Sequence, residues 1–190
     1  MKGGKAPEPE PGAARRRSTL FLVRFVALLV ALYFLVASHP VNDAVIVPFT
    51  AGIARVSAGV LNLFGERVSV TGTEIRSDRF AVQIANGCNG VETALLFGSA
   101  VLAFPAPWRR RLVGLLLGFL AIQVINLVRV VSLFWIGAHQ PALFSSSHTV
   151  LWQSIVVLCG VLLFLLWASR ERRLGTEAGA AATHGASQDR

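Results

Sequence analysis

With 190 residues, 54% hydrophobic content and a mean hydropathy of +0.60, the chain is too apolar for an ordinary water-soluble domain, and its length fits one folded unit. The formal charge of +8 does not point to nucleic acid, because most Arg and Lys residues stand at the ends of apolar runs rather than on one face among aromatics. Cys88 and Cys159 cannot build a disulfide framework, and His39, His139, His148 and His184 show no ligand spacing, so no metal or cofactor is expected.

Residues 1–19, rich in Gly, Pro, Glu and Arg and carrying Arg15-Arg16-Arg17, read as a disordered cytoplasmic tail. The first span runs from Leu20 to Ala37. Val36-Ala37-Ser38 resembles a signal-peptide cleavage site, but the apolar run and the tail before it are long for one, so an uncleaved anchor is expected. Val45 to Phe64 is apolar yet broken by Pro48, Gly52, Arg55 and Gly59, and Arg55, Gly59, Asn62 and Glu66 recur at helical spacing. If this stretch spanned, Arg109-Arg110-Arg111 and Arg170-Glu171-Arg172-Arg173 would lie outside. As an interfacial or re-entrant amphipathic helix it leaves all the basic clusters inside.

Val68, Val70, Ile75, Phe80, Val82 and Ile84 alternate locally with polar or small residues, and Gly72-Thr73 and Ser77-Asp78 separate the runs. Two or three short antiparallel strands are expected there. The extracytoplasmic segment, residues 39–87, is nearly balanced in charge. A second span runs from Cys88 to Phe104 and stops at Pro105-Ala106-Pro107, ahead of Trp108 and the arginine loop. A third runs outward from Leu112 to Ile136, and a fourth returns from His148 to Ala168. Residues 169–190 read as a second disordered cytoplasmic tail. The expected fold is an all-α membrane protein: a helical bundle of about four transmembrane spans with an interfacial helix and a small extracytoplasmic β-hairpin or meander, folded over residues 20–168.

Asn86-Gly87-Cys88-Asn89-Gly90 is the stretch on which the chemistry turns. Arg129 lies far enough along the third span, about 26 Å by helical rise, to reach the outer side. Cys88 and His148 each open an inward-going span, so a thiol, a guanidinium and an imidazole share one depth. Gln123, Asn126, Arg129 and Ser132 recur every third residue in an otherwise apolar helix, and intramembrane polar residues usually face a bundle interior. Glu92, one turn after Cys88, is a candidate partner for Arg129. His139 is a rival imidazole, in a loop beside Pro141, and Cys159 has apolar or small neighbours and reads as packing.

A thiol becomes a good nucleophile near a cation or a helix N-terminus. Arg129 supplies the first and the start of the second span the other. Gly87 and Gly90 allow a tight turn and a close substrate backbone. His148, with serines before it to cap its helix, is placed to return a proton to a departing amine, and Arg129 to hold a developing oxyanion. The product of such a site is a thioester on Cys88, resolved by water or by an acceptor amine.

Cys88-Asn89-Gly90-Val91, then Asn126-Leu127-Val128-Arg129, then His148 at the head of a last span resembles the exosortase/archaeosortase family, over residues 20 to 168. The short form is similar to exosortase H, although Asn89 stands where many members carry Ser. The resemblance implies a multi-pass protein of the bacterial inner membrane, with a cysteine protease or transpeptidase site facing outward. It implies Cys88, Arg129 and His148 as catalytic residues and Asn86, Gly87, Asn89, Gly90, Glu92 and Asn126 in support. It also implies that the partner is the C-terminal sorting tail of an exported protein, with an acceptor molecule where transfer ends the reaction. Two rival classes share these residues: a non-catalytic scaffold or assembly factor for envelope polymer export, and a thiol acyltransferase acting on lipid.

Overall fold

A computed structural model describes residues 11–146 and 151–188. The chain forms α1 (Pro11–Ala37), α2 (His39–Val41), a π-helical segment Asn42–Ile46, α3 (Val47–Leu63), β1 (Ser69–Thr71), β2 (Glu74–Arg76) and β3 (Ala81–Gln83). It continues through α4 (Val91–Ala103), α5 (Trp108–His139), α6 (Pro141–Ser146) and α7 (Gln153–Gln188). It is an all-α membrane protein with one small sheet. Helix runs further than apolarity alone predicts: α1 starts at Pro11 and α7 ends at Gln188, both inside stretches read from composition as disordered tails. Ala, Arg and Glu in those stretches have good helix propensity and extend the turns without an apolar face.

Among the described residues, four helices are long and apolar enough to cross a membrane: Arg15–Ala37, His39–Leu63, Trp108–His139 and Gln153–Glu177. The number agrees with the sequence reading, but the membership differs. Val91–Ala103, expected to be the core of a span, has only 13 residues, a rise of about 20 Å. Gly90 in the left-handed region and the extended Phe104 before Pro105 cut it short. His39–Leu63 is helical throughout: the π-helical turn Asn42–Ile46 leads directly into α3, with Pro48 in the first turn after it.

Ring contacts and hydrogen bonds give the helix directions. Phe21 on α1 meets Phe104 at the end of α4, while Tyr33 lines a hollow with Glu92 and Leu95 at its start, so these two helices are antiparallel. The Phe97 ring of α4 lies where a Cβ at Gly118 of α5 would be, and Trp167 of α7 does the same at Gly114. Arg110 Nη1 donates to Glu171 Oε2 at 3.3 Å. The three basic clusters therefore share one end of the bundle. Along α3, Phe49 stacks near Phe119 at 6.0 Å, and Glu66 just past its end lies 3.7 Å from His139, so α3 runs in the same direction as α5 beside its far half. It begins at the level where α1 ends, after the single extended residue Ser38.

The three strands pair antiparallel in the order β1-β2-β3, within the expected two or three. Gly72, at φ 59°, makes the first turn, and Ser77 closes the second by accepting from the backbone N–H groups of Arg79 and Phe80. The buried side of the sheet, Ile75 and the following Ile84, packs with Ala54, Ala58 and Leu61 of α3 and Val130 and Phe134 of α5. Arg55, Gly59 and Asn62 occupy the exposed side of α3, as the amphipathic reading expects. Asn62 clasps the chain on its way to the sheet, receiving the Val68 N–H at 3.1 Å and donating to its carbonyl.

Candidate functional site

The turn between β3 and α4 is held from every side. Ile84 N donates to Thr73 O at 2.9 Å, which ties the turn's entrance to the sheet. Cys88 N donates to Ala85 O at 3.0 Å, and Gly87 and Gly90 adopt φ 89° and 76°. Left-handed backbone is cheap only for glycine, so both positions demand it. Asn86 Nδ2 donates to Asn42 Oδ1 at 3.1 Å. Asn89, 1% exposed, accepts from Val91 N at 3.1 Å in an Asx turn leading into α4 and donates through Nδ2 to Thr50 Oγ1 at 3.0 Å. Thr50 passes its own proton to Ile46 O at 2.7 Å. Asn42 and Thr50 carry no signal in the sequence that would single them out; only the approach of α3 to the turn makes them partners.

Arg129 comes to the same turn from α5. Its Nη1 donates to Gly87 O at 3.3 Å and its Nη2 lies 3.5 Å from Cys88 Sγ. The residue is 2% exposed, which makes it the largest fully buried side chain of the described residues. A guanidinium removed from water needs every donor satisfied. Here the two contacts leave donors to spare: Nε has no hydrogen-bond partner among the described residues. Asn126 is fully buried, and both side-chain atoms of Asn126 and Gln123 are buried without a hydrogen-bond partner too. Both amides crowd Gly90, where a Cβ would stand 3.1 Å from Gln123 Nε2 and 3.3 Å from the Asn126 side chain. The centre therefore holds a half-buried thiol, a buried guanidinium and two carboxamides, and the guanidinium Nε and both amides have no hydrogen-bond partner among the described residues.

Three sequence expectations fare differently. Glu92 does not pair with Arg129; it is exposed on the α1 side, and its carboxylate lies close to Gly87. Cys88 lies in the turn before α4, so helical spacing does not put it on one face with Glu92, and α5 approaches the turn from the other side. Ser132 leaves the polar stripe and donates to Val128 O at 2.7 Å on its own helix. A three-residue repeat turns by about 300° per step, so Ser132 faces almost opposite to Gln123. His139 is no rival to His148 at the thiol: it contacts Trp135 O and Glu66, ten residues further along α5 than Arg129. His148, with Ser147 before it, lies outside the described residues. Cys159 is half-buried on α7, next to Gly160, which takes the Thr93 methyl.

The thiol lies in the turn ahead of α4, outside the four span-length helices. Burial raises its pKa above the ordinary cysteine value, the Arg129 guanidinium pulls it back down, and the Glu92 carboxylate pushes it up again. The first effect dominates. The expected thiolate assistance from Arg129 is present, but it works against desolvation.

A family model described as transmembrane exosortase matches residues 15–168, most of the chain. The chain belongs to the transmembrane exosortase family. No curated protein and no solved structure matches it. In this exosortase the matched region takes in the four apolar helices almost whole, the sheet and the Cys88 turn. It leaves out the first residues and the last part of α7.

Proposed function

We propose that the protein is a membrane cysteine endopeptidase or transpeptidase that cleaves C-terminal sorting tails of exported proteins through a thioester on Cys88. The observation that carries this reading is the buried Arg129 guanidinium set against both Cys88 Sγ and Gly87 O with donors left over. Membership of the exosortase family supports the class of activity. The basic clusters at the opposite end of the bundle support a topology with those clusters in the cytoplasm and the thiol at the outer face of the inner membrane.

In this mechanism His148 takes the proton of the Cys88 thiol, and the resulting thiolate attacks the scissile carbonyl carbon. The carbonyl π electrons move onto oxygen, and Arg129, with the amides of Gln123 and Asn126 nearby, stabilises the oxyanion. Collapse of the tetrahedral intermediate expels the amine, which takes a proton from His148, and leaves an acyl group on sulfur. Water or an acceptor amine then attacks the thioester, and the sulfur departs as thiolate. Because burial raises the thiol pKa, the substrate carbonyl arrives at a group whose ionisation depends on Arg129.

The test is Cys88→Ala beside Cys159→Ala, with a co-expressed tailed substrate and immunoblotting for accumulation of the enzyme. Cys88→Ala should abolish processing while the protein still accumulates, and Cys159→Ala should process normally. A scaffold or assembly factor would tolerate both substitutions; the polar ties Asn89–Thr50 and Asn86–Asn42, which a purely structural turn would also use, are the feature that favours that rival. A lipid acyltransferase would leave a fatty acyl group rather than a peptide on Cys88 when the adduct is trapped and weighed.

A further inference from the structure

At the end of the bundle away from Cys88, α5 and α7 enclose a cavity of about 600 Å³ that opens to the surroundings. Its wall is apolar, with Leu117, Ala121, Leu163 and Trp167 facing the hollow. Its mouth is cationic, with Arg109, Arg110 and Arg170 around the single carboxylate of Glu171. From Arg109 to Ala121 the α5 wall rises about 18 Å, roughly one leaflet of a hydrocarbon core. Gly114 and Gly118 let the Trp167 and Phe97 rings press onto the α5 backbone, which fixes the floor of the groove.

The charges at the mouth are not balanced internally. Arg110 is engaged with Glu171 at 3.3 Å, while Arg109 and Arg170 are exposed and have no ion-pair partner among the described residues. A small inorganic anion would use the guanidinium groups but leave the apolar wall unfilled. A second copy of the chain would bring the same positive rim against this one. A zwitterionic lipid brings its own ammonium beside its phosphate. A basic pocket between helix ends with an apolar slot behind it is complementary to an anionic lipid head with its chain attached.

We infer that this cavity binds an anionic glycerophospholipid, its phosphate at Arg109 and Arg170 and one acyl chain along Leu117 and Ala121. The site is separate from the thiol centre and does not depend on the reaction assigned there.

The full chain, delipidated in detergent, is offered phosphatidylglycerol or phosphatidylcholine of the same acyl composition, and retained lipid is counted by native mass spectrometry. The wild type should retain phosphatidylglycerol about tenfold over phosphatidylcholine, the size expected when two guanidinium groups meet a lipid charge. The double variant Arg109→Gln/Arg170→Gln should lose that preference. Ala121→Phe, which fills the slot and leaves the charges in place, should lower retention of phosphatidylglycerol while a gel-filtration profile shows the protein still monodisperse. Equal retention of the two lipids by the wild type overturns the inference, as does an undiminished preference in the double variant. Displacement of the lipid by millimolar inorganic phosphate would overturn the role of the acyl chain. A concentration-dependent dimer abolished by the double variant would assign the groove to a second copy instead.

Discussion

The protein keeps arginine in two opposite settings. Arg109 and Arg110 stand exposed at one end of α5, where water and lipid headgroups carry the cost of their charge. Arg129, on the same helix, is 2% exposed and rests on a sulfur and a backbone carbonyl, with no carboxylate among its hydrogen-bond partners. Burying an ion without a counter-ion is expensive, and folding gains little from it. A fold that retains such a charge holds it for something other than stability. On the proposed function, the exposed arginines set which way the chain sits in the membrane, and the buried one serves the reaction at Cys88.

Substitutions sharpen that contrast. Arg129→Ala should lower processing of a tailed substrate by about a hundredfold or more, the scale of losing a main oxyanion donor, whereas Arg109→Gln should change the same rate less than twofold. The same variant moves the thiol. The rate of Cys88 alkylation in wild type should rise with pH and reach half-maximum above the ordinary cysteine value, because burial outweighs the pull of Arg129. Arg129→Ala should push that midpoint higher still. Cys88 holds its proton more tightly folded than unfolded, so its contribution to stability is full below the unfolded pKa and is lost as pH rises through the folded one.

Next in size is Gly90→Ala, which combines a left-handed φ of 76° with a Cβ only 3.1 Å from Gln123 Nε2. It should cost about 1–3 kcal/mol in detergent unfolding, while Gly52→Ala, with open space around it, should stabilise slightly. Asn89→Ala removes the bond to the Val91 N–H at the start of α4 and the one donated to Thr50 Oγ1, which keeps its own bond to Ile46 O, a loss of about 1–2 kcal/mol. Adding Thr50→Val should cost less than the sum of the two single changes, since they share one interaction. Smallest is Glu171→Gln at the basic end, where the pair with Arg110 is partly exposed and should be worth under about 1 kcal/mol in the same unfolding assay.

What the sequence could reveal about this site depended on which coordinate was needed. Depth along a helix follows from counting residues, and that was enough to bring Arg129 to the level of Cys88. The three-strand sheet was legible because alternation with Gly and Ser turns has few other meanings. Rotation about the helix axis is harder to read. Ser132 shares a three-residue spacing with Arg129 yet bonds to its own helix, and Glu92, one turn from Cys88, faces away from the guanidinium. Contacts made by separate elements were not legible at all: Thr50 reaches Asn89 across 39 positions of chain, and no local pattern marks it. The start of α4 also escaped: the span read from Cys88 becomes helix only at Val91, after left-handed Gly90, whereas its end before Pro105 was marked in the sequence.

The turn bearing Cys88 is moored at both ends: Ile84 is hydrogen-bonded to the sheet, and Val91 is hydrogen-bonded to Asn89 as α4 begins. Six residues lie between those moorings, and all of them take part in the contacts described above. Such a connector has no slack. One extra residue inserted before Cys88 would have to bulge, swinging the sulfur off its guanidinium even though every side chain of the centre remained. The small sheet thus acts as a gauge block, setting where the nucleophile stands by the length of the chain it releases.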